Sequence, residues 1–282
     1  MKEIAIASGK GGTGKTSIVS SFAKFAEAVI ADCDVDAPNL HLIFNPEIEE
    51  AIPFEGMKVA EINERCIKCG KCERNCRFNA IENFKVIEEK CEGCGVCVSV
   101  CPANAVELKR RIIGEIYVAK SRFGHLIYGL LSSGEGGGKL VSQIRQKARG
   151  FSQKRNLILI DSPAGIGCHV IASITNADMV IIVAEPNLSS IHDMHRIIEL
   201  AEHFKSKVLV IINKWDINEE MTERIEKYCK EKNIKIVGKI PFDKKFVEAV
   251  IAGKSIVEYD EKIANLMKEI WKKIEEELNY LR

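Results

Sequence analysis

The residues Gly9-Lys10-Gly11-Gly12-Thr13-Gly14-Lys15-Thr16, followed by Ser17, combine glycines, cations and hydroxyls at a spacing suited to phosphate. Glycines let backbone N–H groups converge on phosphate oxygens, and a helix beginning at the loop adds its partial positive charge. Lys15 is placed to reach the β- and γ-phosphates of a nucleotide, and the Thr16 hydroxyl to ligate Mg²⁺. Gly9 through Ser17 are therefore the expected nucleotide contacts. Lys10 is a second charge that phosphate binding by its own loop does not require.

Further along come Cys66-x₂-Cys69-x₂-Cys72-x₃-Cys76 and Cys91-x₂-Cys94-x₂-Cys97-x₃-Cys101-Pro102. This is the spacing of two-cluster bacterial ferredoxins, in which three thiolates of a run bind one cubane and the fourth binds the other. The pattern assigns Cys66, Cys69, Cys72 and Cys101 to one [4Fe–4S] cluster, and Cys91, Cys94, Cys97 and Cys76 to a second. A zinc site needs only CxxC pairs; two complete four-cysteine runs, each followed by a small alanine, favour clusters. Arg77 stands after Cys76 where the second run has Pro102.

Other residues complete a nucleotide site. "NLILIDSPAG" ends a strand on Asp161, placed to hold Mg²⁺ through water. "ADCDVDAPN" puts Asp32 and Asp34 at the end of another strand, where Asp34 can orient or deprotonate an attacking water. "INKWD" offers the Asn213 amide to a purine. Asp36 reads equally as a local turn or cap.

These residues need a sheet to position them. "EIAIA", a helical stretch over residues 14–28 with Ile18, Phe22 and Phe25 on one face, and "AVIADCD" form a βαβ unit, hence a parallel sheet. "NLILID", "MVIIVAE", "KVLVIIN" and "IKIVGKIP" read as strands covered on both faces. Helical patterns fall at residues 191–204 and 221–232. From about Tyr259 onward Ile263, Leu266, Met267, Ile270, Trp271, Ile274 and Leu278 form an apolar stripe. The opposite face mixes Glu with Lys, so the stripe is expected against the core and not on a membrane. Residues 114–150, with their Gly-run and basic helix pattern, read either as a surface loop or as a mobile element between domains.

The cysteine region is an internal repeat. "EINERCIKCGKCERNCRFNAIE" aligns with "VIEEKCEGCGVCVSVCPANAVE" at an offset of 25 residues. Gly70 falls on Gly95, Asn79 on Asn104, Ala80 on Ala105 and Glu82 on Glu107.

"KGGTGKT", "DCDVDAPN" and "DSPAG" together resemble the MinD/ParA/nitrogenase-iron-protein superfamily of deviant Walker A ATPases, and the whole chain is similar to members with an inserted ferredoxin domain. The resemblance implies an α/β fold, a P-loop NTPase with a mostly parallel sheet plus an inserted small α+β ferredoxin domain. The boundaries expected are 1–56 and 109–282 for the ATPase and 57–108 for the insert. It implies ATP and Mg²⁺ as ligands, Asp34 as the catalytic aspartate with Lys15, and Asp161 as the Walker B aspartate. It also implies an ATP-dependent homodimer in which Lys10 reaches the partner subunit's phosphates. Cys168 is then either a ligand for a cluster shared across the dimer or a small buried residue. Cys33 and Cys229 are expected in the core, and His125, His192 and His195 in structural roles.

Composition sets limits. The formal net charge of +1 gives no sign of a nucleic-acid or membrane partner. No run of about 18 uncharged apolar residues offers a membrane span, and "MKEIAIASG" is too short and polar for a signal peptide. Eight of eleven cysteines at ligand spacing point to a reducing, cytoplasmic setting. The expected function is ATP-dependent dimer closure coupled to electron transfer through the two clusters, with an unnamed redox or cluster-acceptor protein. The alternatives are a cluster assembly or carrier ATPase and a positioning ATPase.

Overall fold

The computed structural model describes residues 1–132, 135–151 and 156–281. The chain divides into two compact units, one of residues 1–52 and 116–282, the other of residues 53–115.

The first unit opens with β1 (Lys2–Ser8), α1 (Lys15–Ala26), β2 (Val29–Asp32) and α2 (Leu40–Phe44). β3 (Glu47–Ile62) then carries the chain into the second unit, which holds α3 (Lys71–Arg74), β4 (Ile81–Glu82), β5 (Lys85–Val86) and α4 (Val96–Ser99). β6 (Val106–Ser121) returns it to the first. There follow β7 (Gly124–Leu131), α5 (Gly137–Arg149), β8 (Leu157–Ala164), α6 (Cys168–Ile174) and β9 (Met179–Ala184). The chain ends with α7 (Leu188–His203), β10 (Lys207–Asn213), α8 (Glu219–Glu231), β11 (Lys235–Ile240), α9 (Lys245–Ile251), α10 (Ile256–Tyr259) and α11 (Glu261–Tyr280).

Nine strands form one sheet in the order β11-β10-β9-β1-β8-β2-β7-β6-β3. The pairs from β11 through β7 are parallel. Their strands are apolar on both faces because helices cover each side. β1, flanked by β8 and β9, buries Ile4, Ala5, Ile6 and Ala7 completely. The stripe on α11 packs inward as expected: Ile263, Met267, Ile270, Trp271 and Ile274 are buried in the same core as Phe22 of α1.

Residues 114–150 differ from a loop. The end of β6, β7 and α5 occupy them, apart from Ser133 and Gly134 of the Gly-run, which lie outside the described residues. Only Arg122 and Phe123 separate β6 from β7, a connection that antiparallel neighbours alone can use. The basic face of α5 is partly internal. Buried Arg145 pairs with Glu3 of β1 and donates to the Ala172 and Thr175 carbonyls at 2.6 and 2.8 Å, while Arg149 also meets Glu3.

In the second unit the repeat recurs as geometry. Gly70 precedes α3 and Gly95 precedes α4, both left-handed at φ 71° and 79°. Asn79 and Asn104 match at φ 50° and 48°. The Ala80 N–H donates to Cys76 Sγ at 3.4 Å, and the Ala105 N–H to Cys101 Sγ at 3.2 Å.

Candidate functional site

The C-terminal end of β1 feeds the glycine loop directly into α1. Gly14 caps that helix at φ 80°, a conformation open to glycine, and a β-carbon there would collide with the Asn213 amide. The loop walls a cavity of about 550 Å³, within the usual range for ligand sites. Lys10 through Ser17 line it, together with Asp34, Asn39, Ala164 and Asn213.

Asp161 lies within β8, which runs on to Ala164 and does not end on Asp161 as the sequence suggests, and it faces Asp32 across the parallel β2–β8 pairing. Its two oxygens take different partners: Lys15 Nζ at 2.5 Å and the Thr16 hydroxyl at 2.8 Å. Burial alone would lower the Lys15 pKa, but Asp161 holds it above the ordinary value. Burial and the nearby Asp161 push the Asp32 carboxyl up to about 8, although the Leu40 and Asp34 N–H groups donate to it. Asp34 is also raised by burial, against the pull of Lys15. The Thr13 hydroxyl is buried in the loop and has no hydrogen-bond partner among the described residues. A buried hydroxyl on a phosphate-type cradle is satisfied by an anionic ligand, so the donor set fits a nucleotide with its Mg²⁺.

Asn213 lines the cavity but donates to the Thr13 carbonyl at 2.8 Å, which makes it a brace for the loop. Lys214 adds a bond to the Gly12 carbonyl at 3.1 Å and pairs with Glu185. Lys10 is exposed, and its ammonium meets Ser189 Oγ at 2.5 Å. Asp36 pairs with His169 Nδ1 at 3.2 Å.

Sequence reading missed one wall, made by Pro241, Phe242, Asp243, Phe246, Val247 and Val250. Asp216 pins it by accepting from the Phe242 N–H at 2.7 Å. The available signal was the Asp of "INKWD", which braces a neighbouring loop.

Two cavities of the second unit are lined by cysteines. One is lined by Cys66, Cys69, Cys72 and Cys101, the other by Cys76, Cys91, Cys94 and Cys97. Each therefore gathers three cysteines of one run and the last of the other. Backbone N–H groups of Ala60 and Lys68 donate to Cys91 and Cys66 Sγ, both at 3.4 Å. N–H donation, first from Ala105, lowers the Cys101 thiol pKa, while burial raises Cys72 and Cys97. Among the described residues no three His, Cys, Asp or Glu side chains gather round a single ion. A cubane, bound at four separate irons, does not ask them to.

Outside these sites, Cys33 and Cys229 are buried core residues as expected, with burial raising both thiols. Cys168 is exposed at the start of α6, which corrects the reading of it as a small buried residue.

The chain matches the family described as the CobQ/CobB/MinD/ParA nucleotide binding domain over residues 4–256. It belongs to that family, and is a P-loop ATPase of the MinD/ParA kind. Two uncharacterized proteins of Methanocaldococcus jannaschii are 39% and 29% identical to it, covering 97% and 96% of this chain and 96% of each relative. Among solved structures, the septum site-determining protein MinD complexed with Mg-ADP from Pyrococcus horikoshii superposes with a TM-score of 0.63 at 16% identity. That alignment covers 100% of this chain and 98% of the other. The Aquifex aeolicus MinC:MinD cell division complex gives 0.56 at 24% identity, over 97% and 96%. At these identities the likeness speaks to the fold. Among the described residues no helix is long and apolar enough to cross a membrane.

Proposed function

We propose that this ATPase carries two [4Fe–4S] clusters in an inserted ferredoxin-type domain and couples ATP-dependent closure of a homodimer to electron transfer. One observation carries the reading: the crossed sorting of eight cysteines into two four-cysteine cavities, the arrangement two adjacent cubanes require. Cys66, Cys69, Cys72 and Cys101 would hold one cluster, and Cys76, Cys91, Cys94 and Cys97 the other. When bound, each supplies a site for a single electron at a potential set by its surroundings. The chain's own part is to place N–H donors on the sulfurs of Cys91, Cys66, Cys76 and Cys101; at Cys101 this donation lowers the thiol pKa and favours thiolate.

In the nucleotide unit, Lys15 and the loop N–H groups hold the phosphates, and Thr16 with Asp161 holds Mg²⁺. Asp34, lining the same cavity with a raised pKa, orients the attacking water. Lys10 leaves Ser189 to meet the second subunit's nucleotide.

The family likeness fits a positioning ATPase equally well, and a cluster carrier would use the same cysteines. Anaerobic iron analysis, with electron paramagnetic resonance of the reduced protein titrated with ADP and ATP, separates the three. Bound iron and a nucleotide-dependent signal or potential are expected. Bound iron that ignores nucleotide would indicate cargo, and a protein that binds no iron would leave the positioning ATPase.

A further inference from the structure

The two halves of the cysteine repeat share a backbone but not a charge. In register, Lys68 stands on Gly93, Lys71 on Val96, Arg74 on Ser99 and Arg77 on Pro102. All four cations are exposed, and residues 67–78 contain one acid, Glu73. Elsewhere in this unit four exposed cations are neutralised: Arg65 pairs with Glu107, Lys90 with Glu82, Lys109 with Glu61 and Arg110 with Glu55, while Lys58 and Lys85 stand apart as single charges. Among the described residues no carboxylate forms an ion pair with Lys68, Lys71, Arg74 or Arg77.

Lys68 is also conformationally unusual. It takes φ 55°, a left-handed backbone that side chains other than Asn, Asp and His rarely adopt. Gly93, its counterpart at φ 59°, has to be glycine, because a β-carbon would collide with the Lys58 carbonyl. Position 68 is under no such constraint, yet glycine would be the easier residue there. Lys68 shares this backbone with Lys205 and Lys214, and sets its charge beside Cys66 and Cys69. Lys71 and Arg74 lie three apart on α3, and so on one face. The Arg74 guanidinium folds back onto the Cys69 carbonyl at 3.1 Å. Ile67, on the wall of the Cys66 cavity, is 65% exposed beside them.

We propose that Lys68, Lys71 and Arg74, set about Ile67, form a docking face for the acidic surface of a partner protein, a one-electron carrier that meets this unit at its first cysteine cavity. An apolar contact inside a charged rim is how specific protein interfaces are built, and opposite charge steers the encounter. Nucleic acid fits less well, since a binder typically engages about 6–10 phosphates and this face offers fewer cations. The redox character of the partner rests on the cluster reading above; the docking face does not.

The test measures binding of the full chain, under anaerobic conditions, to an acidic plant-type ferredoxin and, separately, to a short oligothymidylate. Ferredoxin binding should weaken about tenfold between about 20 and about 300 mM salt, as steered contacts do. The combined Lys68→Glu, Lys71→Glu and Arg74→Glu variant should lose about tenfold or more at low salt. Lys68→Gly, which relieves the backbone and cannot fail through strain, should weaken binding severalfold with an unchanged melting temperature. No ferredoxin binding, binding indifferent to these substitutions, or tighter binding of the oligothymidylate would each overturn the proposal. Iron measured on the same samples keeps the two readings apart. Charge-dependent binding by an iron-free chain leaves the face standing and removes the clusters, whereas a fully loaded chain without it removes the face alone.

Discussion

Asp161 is the residue on which the nucleotide loop closes, because it answers both the Lys15 ammonium and the Thr16 hydroxyl from a fully buried position. Asp161→Asn would leave that ammonium without its counter-charge, and removing one member of a buried pair costs about 3–5 kcal/mol. Denaturant melts of the nucleotide-free protein should show a loss of that size, together with absent ATP hydrolysis; a melt matching the unaltered protein would show that the pair contributes nothing. Lys10 is a contrasting case, exposed and held by a single hydroxyl. Lys10→Ala should therefore keep nucleotide affinity within a few-fold and lose dimer-dependent turnover, and full turnover would refute its action on a second subunit. That Lys15, Thr16 and Asp161 belong to one cavity region was legible because one short motif and one apolar strand carry them, but their direct contacts with each other were not. Asn213, read in sequence as a purine contact, lines the cavity and has a second part that the sequence did not signal, since its amide nitrogen braces the Thr13 carbonyl. Phe242 and Val247 escaped because only the folded chain brings α9 and the turn after β11 to the glycine loop.

At the scale of elements, α5 is fastened to β1 by charge as well as by apolar packing. Burial alone would raise the Glu3 carboxyl, but Arg149 and Arg145 outweigh it and hold its pKa below the ordinary 4.5. A carboxylate whose folded pKa is depressed contributes stability that is complete above the unfolded value and disappears as pH falls through the folded one. Glu3→Gln should consequently destabilise the protein by about 3 kcal/mol at neutral pH. Melts of the two proteins should converge as pH drops below about 4.5. A difference that persists unchanged at pH 3 would mean the loss comes from packing. The same pairing explains why this stretch was illegible. Arg145 points inward, so α5 reads in sequence as a basic surface segment when its Leu140, Val141, Ile144 and Ala148 are in fact buried. The neighbouring β6 and β7 were hidden by their brevity of turn, two residues marked only by the single Gly124 that follows them. By contrast the other parallel strands were plain, since burial on both faces writes itself as continuous β-branched runs.

For the molecule as a whole, chemistry and chain division coincide. Every residue lining the nucleotide cavity falls within 1–52 or 116–282, and every residue lining the two cysteine cavities falls within 53–115. The repeat was legible from sequence because duplication keeps the four cysteines, Gly70 with Gly95 and Asn79 with Asn104 in register, and those same positions set the left-handed turns. Only β3 and β6 pass the chain between the units. That separation makes the units independently perturbable. Cys69→Ser removes one thiolate from the Cys66 cavity and touches no residue near the glycine loop, so iron should fall from about eight to about four atoms per chain. Nucleotide affinity, measured by anaerobic calorimetry, should stay within experimental scatter of the parent, and Cys94→Ser should behave alike at the other cavity. Iron content untouched by either change would dismiss the thiolates as ligands. Nucleotide affinity lost together with the iron would instead mean that the cysteine unit is required for the ATPase unit to fold, and the two would then have to be treated as one cooperative structure.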